Sequence, residues 1–294
     1  MPRSVSPFLR ERAERLGRGE PSAAVMRDMR AHYTTPCARR NKVSLLRNYF
    51  AERFPSKLDA LSGVEITREE RRDCKRSQGE ATDKRQRRAV RVDGDAVIAQ
   101  CADELDTPRK GGETRLQELA RVAVALLAVT GRRTAELLNG RSSFRTVRGR
   151  PHECVFAGQL KTRDPRPYRT PLLLPLAEVR RGLDRLRRLQ AEDDVRYMDN
   201  ARVSSRYQRP LSRALKALAG PMAIFSKLHE LRAFYACAAY EAFDVVSTFD
   251  ARRELASQRE AVRGVLGHAS LSEASKYTGF RVAMRRIGEF ALDT

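Results

Sequence analysis

"DTPRKGGETRLQELARVAVALLAVTGRRTAELL", Asp106 to Leu138, is the stretch whose reading decides the fold. Gly111 and Gly112 break the chain. Thr114 and Gln117 stand three apart, the spacing of a capping box, and the apolar residues of a long helix run on from there. Its longest apolar run, Val122 to Val129, falls well short of the roughly 18 to 20 residues of a membrane span and reads as a buried helix. Gly131 is placed to end it, and "RRTAELL" starts another helical segment.

Working towards the N-terminus, "PSAAVMRDMRAHY" and "NKVSLLRNYFAERF" carry apolar residues at helical spacing with basic residues between them, punctuated by Pro36 and Pro55. From Arg71 to Arg91 the chain holds nine basic residues against three acidic and too little apolar content for a core segment. That reads as a solvated linker or, with the overall charge in view, a DNA-tracking strap whose candidate contacts are Arg76, Lys84, Arg85, Arg87 and Arg88. Towards the C-terminus, "SFRTV", "CVFAGQL" and "YRTPLL" are short, β-branched or aromatic, and separated by turn residues, which predicts a small antiparallel sheet. "LAEVRRGLDRLRRLQ", "LSRALKALA", "KLHELRAFYACAAYEAF" and "ARRELASQREAVRGVLG" read as helices. The expected fold is mainly α with a small antiparallel β-sheet. A helical, DNA-binding domain would cover residues 1–105, with the basic linker near 71–91, and a catalytic domain residues 106–294.

Composition narrows the function. The chain carries 58 Lys and Arg against 37 Asp and Glu, a net charge of +21. Such an excess repels itself in a compact fold, and a polyanion relieves it; nucleic acid is the partner expected, because neutralising phosphates releases counterions. The N-terminus lacks the apolar core of a secretion signal, so an intracellular protein is expected, found with the DNA of its cell or of a virus's host, and no membrane partner. Cys37, Cys74, Cys101, Cys154 and Cys237 are an odd number, far apart and without a CxxC pair, which argues for reduced thiols and against a disulfide framework or a zinc site. "AEDD", Ala191 to Asp194, reads as a solvated turn, not part of a two-metal carboxylate site. No P-loop or dinucleotide fingerprint is present. No metal and no cofactor is expected.

Four segments remain that can carry chemistry: "TGRRTAEL" (Thr130–Leu137), "GQLKTRD" (Gly158–Asp164), "HELRAFYA" (His229–Ala236) and "LGHASLSEASKYTGF" (Leu266–Phe280). Singly each is weak, since an Arg on a helix is usually solvated and a lone His usually structural. In this order they resemble the boxes of the tyrosine recombinase and type IB topoisomerase superfamily: an Arg in TG-x-R, a Lys in a β-hairpin, H-x-x-R, a His in LGH, and a Tyr about nine residues later. The matching positions are Arg133, Lys161, His229 with Arg232, His268, and Tyr277. Within the superfamily "TGRRTAEL", "FAGQLKTR…YRTPLL" followed by "VRRGLDRLR", and "HELRAFYA" are most similar to telomere resolvases (protelomerases). Two of the four histidines fall on these boxes; His32 and His152 read as structural or exposed.

The roles that the resemblance implies are physically coherent. Phosphodiester exchange needs a nucleophile, charge stabilisation on the non-bridging oxygens, and a proton for the leaving 5′ oxygen. A tyrosine phenol has a pKa of about 10, so Tyr277 needs cations nearby to attack at neutral pH. Arg133 and Arg232 would offer paired donors to the phosphate. His229 lies three residues before Arg232, on one helix face. Glu136, three after Arg133, either orients its guanidinium or makes a surface ion pair. Lys161 would be the general acid, and His268 would donate to the phosphate or handle the Tyr277 proton.

The chain departs from the resolvase pattern in two ways. His229 stands where several members have Lys, and only 17 residues follow Tyr277, leaving no room there for a further DNA-binding domain. The resemblance implies a metal- and ATP-independent enzyme. It would cut duplex DNA at an inverted-repeat site through a 3′-phosphotyrosyl bond and seal hairpin ends, as a homodimer on DNA. The alternatives are a site-specific integrase, acting as a tetramer, a type IB topoisomerase, or an architectural DNA-binding protein with a degenerate site.

Overall fold

The computed structural model describes residues 5–87, 89–160, 166–247, 254–255, 257–267 and 279–291. The chain divides into two compact units, residues 1–84 and 85–294.

The first unit is helical, and its sequence says where each helix starts. Helix α1 (Pro7–Gly17) begins with proline at its first position, where the missing N–H costs nothing, and the Ser6 hydroxyl accepts from the Leu9 amide. Helix α2 (Ser22–His32) follows, then α3 (Pro36–Arg53), which repeats the device with Thr35 and Pro36, and a 3₁₀ turn at Pro55–Leu61. Leu9, Leu16, Val25, Met26, Met29, Leu46 and Phe50 form the core. The basic segment is helical where a solvated stretch was expected: α4 runs from Arg68 to Arg87, across the boundary between the two units. It is rich in Arg, Lys, Glu and Gln, which are good helix formers, so low apolar content did not prevent a helix. A second correction concerns the cysteines. Cys37 of α3 and Cys74 of α4 are disulfide-bonded, with Cα atoms 5.0 Å apart, inside the range a bridge requires. Cys101, Cys154 and Cys237 are buried and form no disulfide.

The second unit begins earlier than the boundary expected at 105/106. Strand β1 (Val90–Asp93) and helix α5 (Gly94–Asp106) belong to it, Asp93 capping the Ala96 amide. Helix α6 (Arg115–Thr130) is the buried axis, with α5 packed against it. The capping box read from the sequence is present: Thr114 Oγ1 accepts from the Gln117 amide and Gln117 Oε1 from the Thr114 amide. Val122 to Val129 is buried throughout.

A short helix α7 (Thr134–Leu138) leads into the antiparallel sheet β2 (Ser143–Thr146), β3 (Glu153–Ala157) and β4 (Tyr168–Pro171), with Phe144 opposite Phe156 and Phe156 opposite Tyr168. This is the small sheet the sequence predicts. Helix α8 (Leu176–Leu189), α9 (Asn200–Ala217) and α10 (Leu228–Ala242) pack around α6. The intervening "AEDD" is not a solvated turn. Asp193 is buried and takes hydrogen bonds from Arg115, Arg206 and Tyr207.

The last part holds more strand than its sequence suggests. Strand β5 (Phe243–Ser247) pairs antiparallel with β6 (Glu254–Leu255) and parallel with β8 (Gly288–Ala291). Helix α11 covers only Gln258–Leu266 of the longer helix expected, starting at a Ser257–Glu260 capping box. Strand β7 (Phe280–Ala283) pairs parallel with β1, Val90 opposite Phe280. No helix of the described residues is long and apolar enough to cross a membrane.

Candidate active site

The end of α6 and the end of α11 meet. Gly131 terminates α6 in the left-handed region at φ 63°, and a Cβ there would lie 2.0 Å from the Tyr235 ring, so the glycine of the TG-x-R box is sterically required. Gly267 terminates α11 in the same way at φ 61°, and a Cβ there would sit 2.7 Å from Gln159 Nε2 and from the Tyr168 ring. The glycine of the LGH box is a close approach of backbone to β-sheet residues.

Arg133 caps α7 and Glu136 lies one turn on. Arg133 Nη1 donates to Glu136 Oε1 at 2.6 Å and to the Leu160 carbonyl at 2.9 Å, while the Arg133 amide donates to Glu136 Oε2 at 2.8 Å. Glu136 Oε1 also accepts from the Leu160 amide at 3.0 Å. Both backbone groups of Leu160 are therefore held by this pair. Glu136 is fully buried, which alone would raise its pKa, but the guanidiniums of Arg132, Arg232 and Arg133 together hold its carboxyl below the usual range. Nε and Nη2 of Arg133 make no hydrogen bond among the described residues, and the side chain is 23% exposed, so two donors of one guanidinium stay open to an anion.

Arg232, on α10, is buried at 5% exposure. Its Nη1 donates to the Gly131 carbonyl and its Nη2 to the Leu266 carbonyl at 3.1 Å. His229, one turn earlier, is exposed. Lys161, His268 and Tyr277 lie outside the described residues, but the chain next to each is anchored. Leu160 precedes Lys161. Gly267 precedes His268, and its carbonyl accepts from Gln159 Nε2 at 2.5 Å. Two residues beyond Tyr277, the Gly279 carbonyl accepts from the Val90 amide at 3.2 Å.

The basic residues named on the segment 71–91 stand apart from this site in sequence. Arg76 is exposed on α4 and paired with Asp73 at 2.8 Å, and Lys84 is exposed on the same helix. Arg85 and Arg87 belong to the last turn of α4 by backbone, and Arg88 lies outside the described residues.

Sequence reading missed the group that binds these pieces together. Arg132, 1% exposed, donates to the Thr130 carbonyl at 2.9 Å, to the Val265 carbonyl at 3.0 Å and to the Tyr168 hydroxyl, with its guanidinium 4.7 Å from the centre of the Phe156 ring. Thr170 Oγ1 also donates to the Val265 carbonyl, at 2.9 Å. The last three carbonyls of the α11 turn, 265 to 267, are thus taken by Arg132 with Thr170, by Arg232 and by Gln159. Tyr235 is buried with its hydroxyl donating to the Pro171 carbonyl at 2.6 Å; burial pushes its pKa up to about 12. The doubled arginine of "TGRR" was the one visible signal. Sequence alone does not tell which of two adjacent arginines turns inward.

The profile described as "Telomere resolvase ResT/TelK catalytic domain" matches residues 89–280. The chain belongs to the telomere resolvase family. As a member it is a DNA-binding enzyme that breaks and rejoins DNA strands. Its fold is shared with solved protelomerases. The protelomerase TelA, covalently complexed with substrate DNA, matches at a TM-score of 0.69 and 18% identity over 95% of this chain and 90% of that one. A point mutant of TelA complexed with a DNA hairpin product matches to the same extent. The protelomerase TelK with substrate DNA matches at 0.60 and 18% identity, over 96% of this chain and 61% of that one. A search of curated proteins finds no match.

Proposed function

We propose that this telomere resolvase cuts duplex DNA at an inverted-repeat site, one strand per subunit of a homodimer, and seals each strand into a hairpin. The Tyr277 oxygen attacks the scissile phosphorus and the bond to the 5′ oxygen breaks. Lys161 gives that oxygen a proton, leaving a 3′-phosphotyrosyl bond and a free 5′ hydroxyl. The 5′ hydroxyl of the folded-back partner strand then attacks the phosphotyrosine and releases Tyr277. The bond energy is conserved in the phosphotyrosine, so the cycle calls for neither ATP nor a metal ion.

The open Nε and Nη2 of Arg133 are the observation that carries this reading. They are donors aimed by a buried carboxylate and left without a partner among the described residues, as a site for a phosphate oxygen needs. Arg232 supplies a second positive charge beside Gly131, and His229 and His268 complete the donors around the phosphate. Arg76, Lys84, Arg85, Arg87 and Arg88 would contact the DNA backbone from the region of α4.

The test is an inverted-repeat linear duplex. Products that snap back after denaturation support hairpin sealing, recombinant junctions would indicate an integrase, and relaxation of any supercoiled plasmid a topoisomerase. Tyr277→Phe should keep DNA affinity and lose the covalent protein–DNA adduct. An adduct that survives would remove Tyr277 from its role. Activity should persist in EDTA, and strict dependence on a divalent ion would count against the mechanism.

A further inference from the structure

Helix α9, "NARVSSRYQRPLSRALKA", runs for 18 residues without one carboxylate. Its buried residues, Val203, Tyr207, Leu211 and Leu215, recur every fourth position and make a single inward face. Arg202, Arg206, Arg209, Arg213 and Lys216 recur at steps of four, three, four and three, and all five are exposed. At about 100° per residue they lie within roughly 80° of arc, opposite the buried face. They form a stripe about 21 Å long at 1.5 Å per residue. Ser205 and Ser212 flank it.

The stripe differs from the arginines on and around α6. Arg109 and Arg185 are neutralised by Glu118, Arg115 by Asp193, and Arg121 by Glu104 and Glu113. On α9 only Arg206 has such a partner, Asp193 at 2.6 Å. Among the described residues Arg202, Arg209, Arg213 and Lys216 make no ion pair, and Arg202 alone of these four feels a nearby carboxylate, that of Asp199 at the helix cap. Like charges one turn apart weaken a helix, and of the five only Arg206 has an ion-pair partner to offset that cost.

We infer that the α9 stripe is a second DNA-backbone site, which holds duplex phosphates away from the reacting one. The inference rests on the reading above only in taking duplex DNA as the substrate. The stripe starts near the site: Asn200 at the head of α9 accepts from Asn139, which ends the α7 turn that Arg133 caps. Its other end lies by the start of α6, because Arg213, Ala214 and Ala217 line one cavity with Lys110, Thr114 and Gln117. Arg133 follows the far end of α6, about 24 Å away along that helix. The far end of the stripe would therefore engage a duplex roughly seven base pairs from the reacting phosphate, at 3.4 Å per pair. A duplex axis of about 21 Å presents on the order of twelve phosphate charges, ample for five cations. No apolar or aromatic residue lies within the stripe to anchor a protein partner, whereas backbone phosphates need only charge and donors.

The experiment uses the full chain and a mixed-sequence duplex of about 30 base pairs, long enough to cover both sites. Affinity is measured by fluorescence anisotropy across a series of NaCl concentrations. Arg202→Gln, Arg209→Gln, Arg213→Gln and Lys216→Gln are combined in one variant. Each lost phosphate contact lowers the slope of log K against log salt by about 0.9, so the slope should become shallower by about 3 to 4. A second variant, Arg202→Lys with Arg209→Lys and Arg213→Lys, should keep the wild-type slope. The inference is overturned if the glutamine variant, folded with an unchanged melting temperature, retains the wild-type slope. It is equally overturned if the lysine variant loses as much as the glutamine variant, since shape and not charge would then be responsible. Binding is read here without cleavage, so a failure of the Tyr277 chemistry leaves the answer intact.

Discussion

Replacing Glu136 by Gln removes a single negative charge and keeps the side chain's size and one acceptor oxygen. In the folded protein that charge is fully buried and faces the guanidiniums of Arg132, Arg133 and Arg232. Breaking a buried pair by removing one partner costs about 3 to 5 kcal/mol, because the cations left behind are uncompensated. For a unit of this size each kcal/mol moves the melting temperature by about 2 to 4 °C, so Glu136→Gln should lower it by roughly 10 °C at pH 7. The pH dependence follows from the direction of the shift. The folded pKa is depressed, so the stabilisation is present in full above the unfolded value of about 4.3 and is lost as pH falls through the lower folded value. The gap between wild type and variant should therefore be constant from pH 8 down to about 5 and close below about 4. Thermal melts followed by circular dichroism at a series of pH values measure it. A variant as stable as wild type at pH 7, or a gap that ignores pH below 4, would refute the argument that Glu136 is the ionised counter-charge of the site.

Gly131→Ala combines a left-handed backbone with a Cβ 2.0 Å from the Tyr235 ring, and should cost about 2 to 5 kcal/mol in a urea melt. Tyr235→Phe leaves the Pro171 carbonyl without the donor it has in the structure and should cost about 1 to 3 kcal/mol by the same assay. Reducing the Cys37–Cys74 bridge, which closes a separation of 37 residues, should lower the stability of the first unit by about 3 to 4 kcal/mol, read as a drop in urea midpoint with dithiothreitol that a Cys37→Ser variant does not show. Arg133→Ala should abolish adduct formation while leaving duplex affinity within about threefold, since one phosphate contact among many is lost.

What the sequence disclosed is what is local. The α6 helix, its Thr114–Gln117 box and the β2–β3–β4 meander are each specified within a few residues by period, cap and turn chemistry, and all three stand as expected. Pairing across long separations left no such trace. Strands β1 and β7 are four residues each and meet across about 190 positions, so neither has a period long enough to register. Low apolar content disguised α4, whose charged residues favour helix as strongly as an apolar run does. Asp193 looked solvated because its partners Arg115, Arg206 and Tyr207 come from two other helices. The motif residues Arg133, Glu136 and Arg232 could be named from the sequence. The inward turn of Arg132 onto the α11 carbonyls could not, because it depends on where a helix some 130 positions away ends.

The parallel ladder between β1 and β7 has a mechanical meaning. Tyr277 lies two residues before Gly279, whose carbonyl is the first rung of that ladder. If Tyr277 carries a DNA strand, as proposed, tension in that strand enters the protein along β7. The rungs from Val90–Phe280 to Asp93–Ala283 lie across the direction of pull, so they are loaded in shear and share the force instead of opening one by one. Asp93 caps α5, so the load passes straight into a helix packed on the central axis of the unit. A DNA strand held by that covalent bond would thus pull against the core of the enzyme.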